Sequence, residues 1–439
     1  MNLTKLIQLF SANGCNKVYV KTLAANDNSK NQIYFGGSFD VLNIFPIGEI
    51  LSEDSGDWKR MRFKTKLNFL WMDEQGLNYP APDAQLILYP KYPEVRFSGF
   101  LKGCRNAPSD LMANRIPDRL LFLGVDNSRH VLGYVVAPES TLANEFNAIP
   151  NPEIEGLFRV LTFQHNHLIE ASRLKLLTEL KRIYQKGWIK SKRLGLNGKI
   201  IPCESSNCGG YTLEAELGIS ANGFSEPDYL GWEIKQFGVK NFDKITSATI
   251  TLMTPEPTGG VYVKEGVEGF IRKFGYMDKR GRPDRMNFGG IHKSNLMHTS
   301  TGLKMMLVGF DKESSKITNT DGKIILLSKK DEEAASWSFA SLMKHWNLKH
   351  AKAAYIPSKT IKGAEKQYSY GNKIVLGTGT DFVFFLKQLE AGSIYYDPGI
   401  KLENMSTNPR TKRRSQFRIK SVHIPQLYKI NEIVNLDSK

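Results

Sequence analysis

Asp228, Glu233 and Lys235 share one short stretch, "SEPDYLGWEIKQF". Glu233 and Lys235 are two positions apart, so in an extended strand they project from one face. Phosphodiester hydrolysis needs a water placed in line with phosphorus and a counter-charge for the phosphate. A hard divalent cation such as Mg²⁺ supplies both and takes oxygen ligands. An Asp ahead of a strand and a Glu on it can share such an ion. A neighbouring Lys ammonium can orient the attacking water or stabilise the charged transition state. The plain alternative is a solvated strand edge. Pro-Asp recurs at Pro82, Pro117 and Pro283, but Glu-x-Lys does not follow closely there, so the chain carries one candidate site. Glu214, in "GYTLEAELGI", adds a carboxylate on an expected short helix, where it can serve as an outer or second-metal ligand.

These residues need elements to hold them. Between residues 17 and 145, runs such as "KVYVKTL", "QIYFGG", "AQLILYPKY", "EVRFSGF", "RLLFLGV" and "HVLGYVV" are short, β-rich and separated by Asn, Asp, Gly and Pro, which predicts a barrel or sandwich. The pattern changes near residue 150. "HNHLIEASRLKLLTELKRIYQKGW" places Leu168, Leu174, Leu177, Leu180 and Ile183 at helical spacing. The expected domains are 1–150, an all-β domain; 151–190, a helical connector; and 191–439, a mixed domain. In the last, "YLGWEIKQF", "ATITLMT", "GLKMMLVGFD", "GKIILLSKK" and "FVFFLKQ" read as strands and "AASWSFASLMKHWNL" as a helix, an α/β alternation. "LGTGTDF" lacks the lysine and serine of a phosphate-binding loop and reads as a turn.

The 439 residues carry a formal charge of +16, which makes nucleic acid the leading partner. "NPRTKRRSQFRI" sets Arg413, Arg414 and Arg418 among apolar residues, a composition suited to groove reading as well as to a solvated face. Cys15, Cys104, Cys203 and Cys208 provide no second close pair for a zinc site and read as free thiols of a reducing cytoplasm. The start lacks the apolar core of a signal peptide and no run is long enough to span a membrane, so a cytoplasmic protein is expected.

Gly-Tyr-Thr-Leu-Glu, Leu-Gly-Ile, Asn-Gly, Glu-Pro-Asp and Gly-Trp-Glu-Ile-Lys, in that order, closely resemble the MvaI/BcnI restriction endonucleases, relatives of the MutH mismatch-repair nickase. The resemblance continues through "NLMHTSTGLKMMLVGFD" and "SIYYDPGIKLE", over roughly residues 180 to 430. It implies a PD-(D/E)xK nuclease fold, a mixed sheet flanked by helices. It also implies Mg²⁺ dependence, double-stranded DNA as substrate and a monomer. Asp228, Glu233 and Lys235 match the catalytic core and Glu214 the helix carboxylate, with Asp228 and Glu233 as metal ligands. His298, in "HKSNLMHTST", becomes a candidate DNA contact.

"VYVKTLAANDN" resembles the opening of the EcoRII N-terminal effector domain, a pseudobarrel similar to plant B-three domains, and "EVRFSGFLKGCRNAPSD" falls where the second DNA-gripping arm of that domain would lie. Lys21 and Asn26 on the first, and Arg96, Lys102 and Arg105 on the second, become candidate DNA contacts; exposed basic hairpins are the plain alternative. The fusion implies a type IIE enzyme engaging two copies of a CCWGG site, with CCSGG the competitor. The rivals are a MutH-like strand-nicking repair enzyme and a non-catalytic DNA-binding regulator on a dead nuclease fold.

Overall fold

A computed structural model describes residues 1–53, 61–163, 168–220, 227–245, 247–363 and 365–437. The His165–His167 segment and the Asn-Gly and Glu226 parts of the motifs above lie outside the described residues. The chain divides into two compact units, Met1–Ser172 and Arg173–Lys439.

The first unit opens with α1 (Leu3–Ala12), whose cap Asn2 accepts from the Lys5 backbone N–H. Twelve strands follow: β1 (Lys17–Leu23), β2 (Ile33–Gly36), β3 (Ile50–Glu53), β4 (Arg62–Lys66), β5 (Phe69–Met72), β6 (Asn78–Pro80), β7 (Gln85–Tyr89), β8 (Glu94–Ser98), β9 (Arg119–Val125), β10 (Val131–Val136), β11 (Glu153–Glu155) and β12 (Phe158–Thr162). Helix α2 (Ser109–Ala113) precedes β9, and α3 (Thr141–Asn147) follows β10. One sheet runs β11-β12-β1-β9-β10-β5-β6 and the other β2-β8-β7-β4-β3. Strand alternation splits β1 between two cores. Val18 and Val20 pack with Leu6, Phe10, Leu142 and Phe146 of α1 and α3. Tyr19 turns the other way, into an aromatic cluster with Phe45 and Phe158, which also meet Phe35 of the second sheet. Helices thus cover one face of the larger sheet in a unit built mainly of strands.

The expected boundary at 150 falls short. β12 pairs with β1 from Lys17↔Thr162 to Val20↔Arg159, and β11 pairs with β12, so the first unit keeps residues 153–162. The expected connector is not free either. Helix α4 (Leu168–Gln185) buries Leu176, Leu180 and Ile183 in the core of the second unit, while Leu174 faces out.

The second unit continues with β13 (Ile189–Lys190), β14 (Lys192–Leu194), β15 (Ile200–Pro202), α5 (Cys208–Glu216), β16 (Glu233–Gly238), β17 (Thr249–Met253), α6 (Val261–Lys264) and α7 (Gly266–Phe274). Then come β18 (Tyr276–Met277), β19 (Arg285–Gly289), β20 (Leu303–Val308), β21 (Phe310–Asp311), β22 (Lys316–Ile317), β23 (Lys323–Ser328), β24 (Glu333–Ser338) and α8 (Phe339–His350). The chain ends with β25 (Lys352–Ile361), β26 (Gln367–Tyr370), β27 (Lys373–Thr378), α9 (Phe382–Glu390), β28 (Ile394–Tyr396), β29 (Gly399–Glu403), β30 (Arg410–Lys412), β31 (Phe417–Lys420) and β32 (Ile430–Asn435). The central sheet is built on β25: β16 runs parallel to it, and β26 and β27 run antiparallel along it in succession. Four-stranded β18-β19-β29-β30 and three-stranded β17-β31-β28 and β20-β23-β24 sheets make up much of the remainder. The result is the mixed sheet with helices that the sequence implies.

Three local readings change. "FVFFLKQ" is helix α9, not a strand: Asp381 caps it by accepting from the Val383 N–H, and Phe382, Phe385, Leu386 and Leu389 recur at helical spacing on its buried face. In "AASWSFASLMKHWNL" the first residues complete β24, and α8 begins only after the cap Ser338. Cys203 and Cys208 form a disulfide that joins the end of the β14–β15 hairpin to the start of α5; Cys15 and Cys104 are free thiols. No helix among the described residues is long and apolar enough to cross a membrane.

Candidate active site

The Asp-to-Glu spacing is set by a tight turn. Tyr229 and Trp232 exchange backbone hydrogen bonds of 2.9 and 2.8 Å around Leu230 (φ +48°) and Gly231 (φ +82°). Two consecutive left-handed residues are the signature of a type I′ hairpin turn, where glycine carries no steric cost. The turn reverses the chain so that Asp228 lies beside the first residues of β16. There Asp228 Oδ2 accepts from the Ile234 backbone N–H at 3.0 Å. Trp232, buried in the core, anchors the turn.

On β16, Glu233 is only 1% exposed. Its Oε1 meets Lys235 Nζ at 2.6 Å, as expected for alternate residues on one face. Glu214 comes from α5, which is fixed on several sides. Thr212 Oγ1 bonds both the N–H and the C=O of Lys192, and Tyr370 Oη donates to the Gly209 carbonyl at 2.8 Å. Glu216 binds Lys186 at 2.6 Å and also Lys192. Gly209 of α5 lies against the Gln236 side chain of β16: a Cβ there would stand 2.7 Å from Gln236 Oε1.

The electrostatics are those of crowded carboxylates. Burial first, and then the Asp228 charge, push the Glu214 carboxyl up to about 7, against the opposing pull of Lys235 and Lys349. Burial and then Glu233 raise Asp228 as well. Glu233 Oε2 is buried without a hydrogen-bond partner among the described residues. A buried orphan oxygen beside two carboxylates held above their ordinary range is a donor set suited to a hard cation. Among the described residues no three His, Cys, Asp or Glu side chains close into a metal cage. A Mg²⁺ site needs none, because one or two carboxylates are completed by water and phosphate.

Helix α8 contributes two residues that the sequence did not single out. Lys349 Nζ stands 3.7 Å from Glu233 Oε1. His345, one turn earlier, is kept below the ordinary histidine range by burial, then by Lys349 and Lys235.

Of the basic candidates in the second unit, Arg413 and Arg414 are exposed, and Arg414 lays its guanidinium against Gly399, where a Cβ would come within 2.7 Å of Nη2. Arg418 is ion-paired to Asp397 and its Nε is buried without a partner among the described residues. Arg414 lines a cavity with Arg285, Lys401, Asp278 and Asn287, none of them foreseen from sequence. Burial and then Arg285 hold the Lys401 ammonium below its ordinary range, so an anion there would relieve the local charge. His298 is half-buried, stacks on His292 with ring centres 4.3 Å apart, and its Nδ1 bonds Thr301 Oγ1 at 3.0 Å.

In the first unit, Lys21, Asn26 and Arg96 line one open cleft of about 690 Å³. Asn26 is exposed. Lys21 is 7% exposed and tied to Asp27 at 3.2 Å, and it lines the cleft together with Asp27. Arg96 is steered by Glu94 at 3.1 Å. Lys102 projects into solvent with Asp83 at 3.2 Å, and Arg105 is exposed; neither lines that cleft.

No curated protein sequence matches the chain. Among solved structures it is similar to restriction endonuclease MvaI in complex with its cognate DNA substrate, at 19% identity over 62% of this chain and 100% of that one, with a TM-score of 0.44. It is also similar to MvaI in the absence of DNA, at 18% identity over 61% of this chain and 98% of that one, with a TM-score of 0.33. The profile of the MvaI/BcnI restriction endonuclease family matches residues 177–428, a span that takes in α5, β16 and α8. That is more than half of the sequence, and it contains every side chain of the carboxylate–lysine site: the chain belongs to the MvaI/BcnI restriction endonuclease family.

Proposed function

We propose that this protein is a Mg²⁺-dependent, sequence-specific endonuclease that hydrolyses phosphodiester bonds of double-stranded DNA. The observation that carries the reading is the buried Glu233 Oε2, without a hydrogen-bond partner among the described residues, beside Asp228, Glu214 and Lys235. Asp228 and Glu233 would hold the ion, with Glu214 beside them. Bound there, Mg²⁺ supplies positive charge at the phosphate and an acidified water. The protein's own part is positioning. The Ile234 N–H fixes the Asp228 carboxylate, and Glu233 fixes the Lys235 ammonium, which orients the attacking water and offsets charge in the transition state.

The target we assign is CCWGG, with CCSGG as competitor, read by a monomer through Arg413, Arg414, Arg418 and His298. The first unit is assigned as an effector domain of the EcoRII N-terminal type, a pseudobarrel gripping a second copy of the site through Asn26, Arg96, Lys102 and Arg105, with Lys21 beneath. That two-part design resembles the type IIE enzyme UbaLAI. The cleft lined by Lys21, Asn26 and Arg96 supports it.

Incubation of the full chain with a supercoiled plasmid and Mg²⁺, followed by sequencing of the ends, tests this reading. Ends within CCWGG are expected, with a nicked circle preceding the linear product. Ends elsewhere overturn the target, nicks that never become breaks favour the MutH-like reading, and intact plasmid overturns the nuclease reading.

A further inference from the structure

The loop from β19 to β20 carries two histidines. His292 is fully buried, stacks on Phe288 and His298 with ring centres 5.5 and 4.3 Å apart, and exchanges backbone hydrogen bonds with Tyr396. Its Nδ1 faces the Gly290 carbonyl at 3.0 Å, so Nδ1 holds the proton and Nε2 is an acceptor. Thr301 Oγ1, at 2.9 Å, donates to that Nε2. A hydroxyl has one proton to give, so His298 Nδ1, 3.0 Å from the same oxygen, must donate to it. The Thr301 backbone N–H also points at His298 Nδ1, at 3.3 Å. The shorter contact decides, because a bare Nδ1 would face the Thr301 oxygen lone pair to lone pair across 3.0 Å.

His298 is thereby left with a bare Nε2. Burial and then the Lys279 charge hold its ring below the ordinary histidine range, so it stays neutral near pH 7. Burial and then His298 push His292 down to about 3. His298 Nε2 has no hydrogen-bond partner among the described residues, and it lies against Gly290 (φ +108°), where a Cβ would stand 2.3 Å away. A side chain at 290 would cover this nitrogen, and glycine leaves room beside it. Lys279, bonded to Ser300 at 3.0 Å, also lines the cavity of about 420 Å³ that holds Arg285, Lys401 and Arg414. Lysine and arginine side chains only donate. The carboxylate in that cavity, Asp278, is taken up by Asn287 at 2.8 Å and by the Arg280 backbone N–H at 2.9 Å. His298 Nε2 is therefore a free acceptor beside a group of donors.

We propose that His298 is a specificity-determining residue whose Nε2 accepts a hydrogen bond from one exocyclic amino group of the recognition sequence. This rests on the nuclease reading above. The base-edge groups that can supply that bond are cytosine N4 and adenine N6 in the major groove and guanine N2 in the minor groove. Thymine offers no donor in either groove, and a ring N7 or a carbonyl oxygen would meet Nε2 as acceptor against acceptor. The neighbouring Lys279, Arg285 and Arg414 work in the opposite sense, donating to phosphate or to guanine O6 and N7. His298 adds a discrimination that cations alone lack: a base without an amino group leaves Nε2 unpaired once water is excluded.

The test uses the full chain, Mg²⁺ and a duplex carrying the sequence that the wild type cleaves, CCWGG as assigned above. Amino groups are removed from it one at a time: 2-pyrimidinone for cytosine, purine for adenine, hypoxanthine for guanine. His298→Asn keeps a donor to Thr301 and lacks Nε2; His298→Gln places an oxygen near the Nε2 position. One analogue should lower wild-type kcat/KM about 10-fold and lower that of His298→Asn by less than about twofold, the coupling expected of a direct contact. His298→Gln should regain part of that coupling. Equal losses in wild type and His298→Asn for every analogue overturn the proposal. So does coupling to 7-deazaguanine or 7-deazaadenine in place of an amino analogue, since Nε2 would then be a donor. If His298→Asn melts well below wild type, His298→Phe, which keeps a ring on His292, is read by the same coupling. A wild type that cuts the unmodified duplex without coupling refutes this inference alone. A wild type that cuts no duplex refutes the nuclease reading itself, and this inference with it.

Discussion

Asp228 Oδ2 accepts the Ile234 backbone N–H at 3.0 Å, a contact that exists because two left-handed residues, Leu230 and Gly231, fold the intervening chain back on itself. The turn should respond in opposite senses at its two positions. A Cβ on Gly231 meets nothing within 4 Å, so Gly231→Ala costs only backbone strain, about 1 kcal/mol. Leu230 is 51% exposed and strained at φ +48°; Leu230→Asn, a side chain that tolerates this region, should hold stability or raise it by a few tenths of a kcal/mol. Thermal unfolding reads both. A drop of about 2–4 °C for Gly231→Ala is expected, and a comparable drop for Leu230→Asn would show that the leucine packs rather than merely turns.

Asp228→Ala and Lys235→Ala should separate binding from chemistry. Asp228 is a carboxylate on the approach to β16, away from Arg413 and Arg414 in sequence and not part of the Arg414 cavity. Its loss should abolish cleavage with Mg²⁺ while gel-shift affinity for a CCWGG duplex stays within about threefold, because a metal ligand and not a groove contact is removed. Lys235→Ala should lose the chemical step in the same way. Normal rates in either variant would remove that residue from the site.

Glu214 gives the site a pH signature in metal-free protein. Folding raises its carboxyl from the ordinary 4.5 to about 7, chiefly by burial and then by the Asp228 charge. Between those values the folded chain holds a proton that the unfolded chain releases. Stability from this group is therefore complete below about 4.5 and is lost as pH rises through about 7. Glu214→Gln removes the loss. In EDTA it should be more stable than wild type at pH 8, by on the order of 1–3 kcal/mol, and equal to it near pH 4. Urea unfolding at the two pH values measures this; a variant less stable at pH 8 would mean that the carboxylate is welcome in the apo site.

The local half of the site was legible because its chemistry is local. Two-residue spacing puts Glu233 and Lys235 on one face whatever surrounds them, and the Leu230-Gly231 turn adds Asp228 without long-range information. Lys349 and His345 were not legible, since their approach depends on β25 pairing with β16, a contact between distant segments that residue types do not announce. Arg285 and Lys401 were missed for the same reason: strands β19 and β29 pair to bring them together. Helix α9 was misread because a Phe-rich run suits a strand or a buried helix equally, although Asp381 at its start was a usable cap signal. β12 was missed because its partner is β1, more than a hundred residues earlier. The cysteine pair was noticed by spacing, but its oxidation follows from where the hairpin and α5 meet.

The last prediction concerns the two units. Since β12 completes the larger sheet through β1 and Phe158 joins the Tyr19–Phe45 cluster, a fragment ending at residue 150 should be far less stable than one ending at 163. Stripping β12 exposes an edge and removes a buried aromatic side chain, a change of about 3–5 kcal/mol for the ring alone. A fragment beginning at 164 retains α4 and all of Asp228, Glu233, Lys235 and Glu214, and should fold and cleave. If the first unit is an effector, the full chain should cut two-site plasmid faster than one-site plasmid, because tethering raises the effective concentration of the second contact. A short uncleavable CCWGG duplex added in trans should then stimulate cutting at a single site. Replacing Arg96 and Arg105 with Ala should abolish that stimulation and flatten the salt dependence of DNA binding by the 1–163 fragment. A folded 164–439 fragment with the same dependence on site number as the full chain would rule out the effector role and leave the nuclease reading intact.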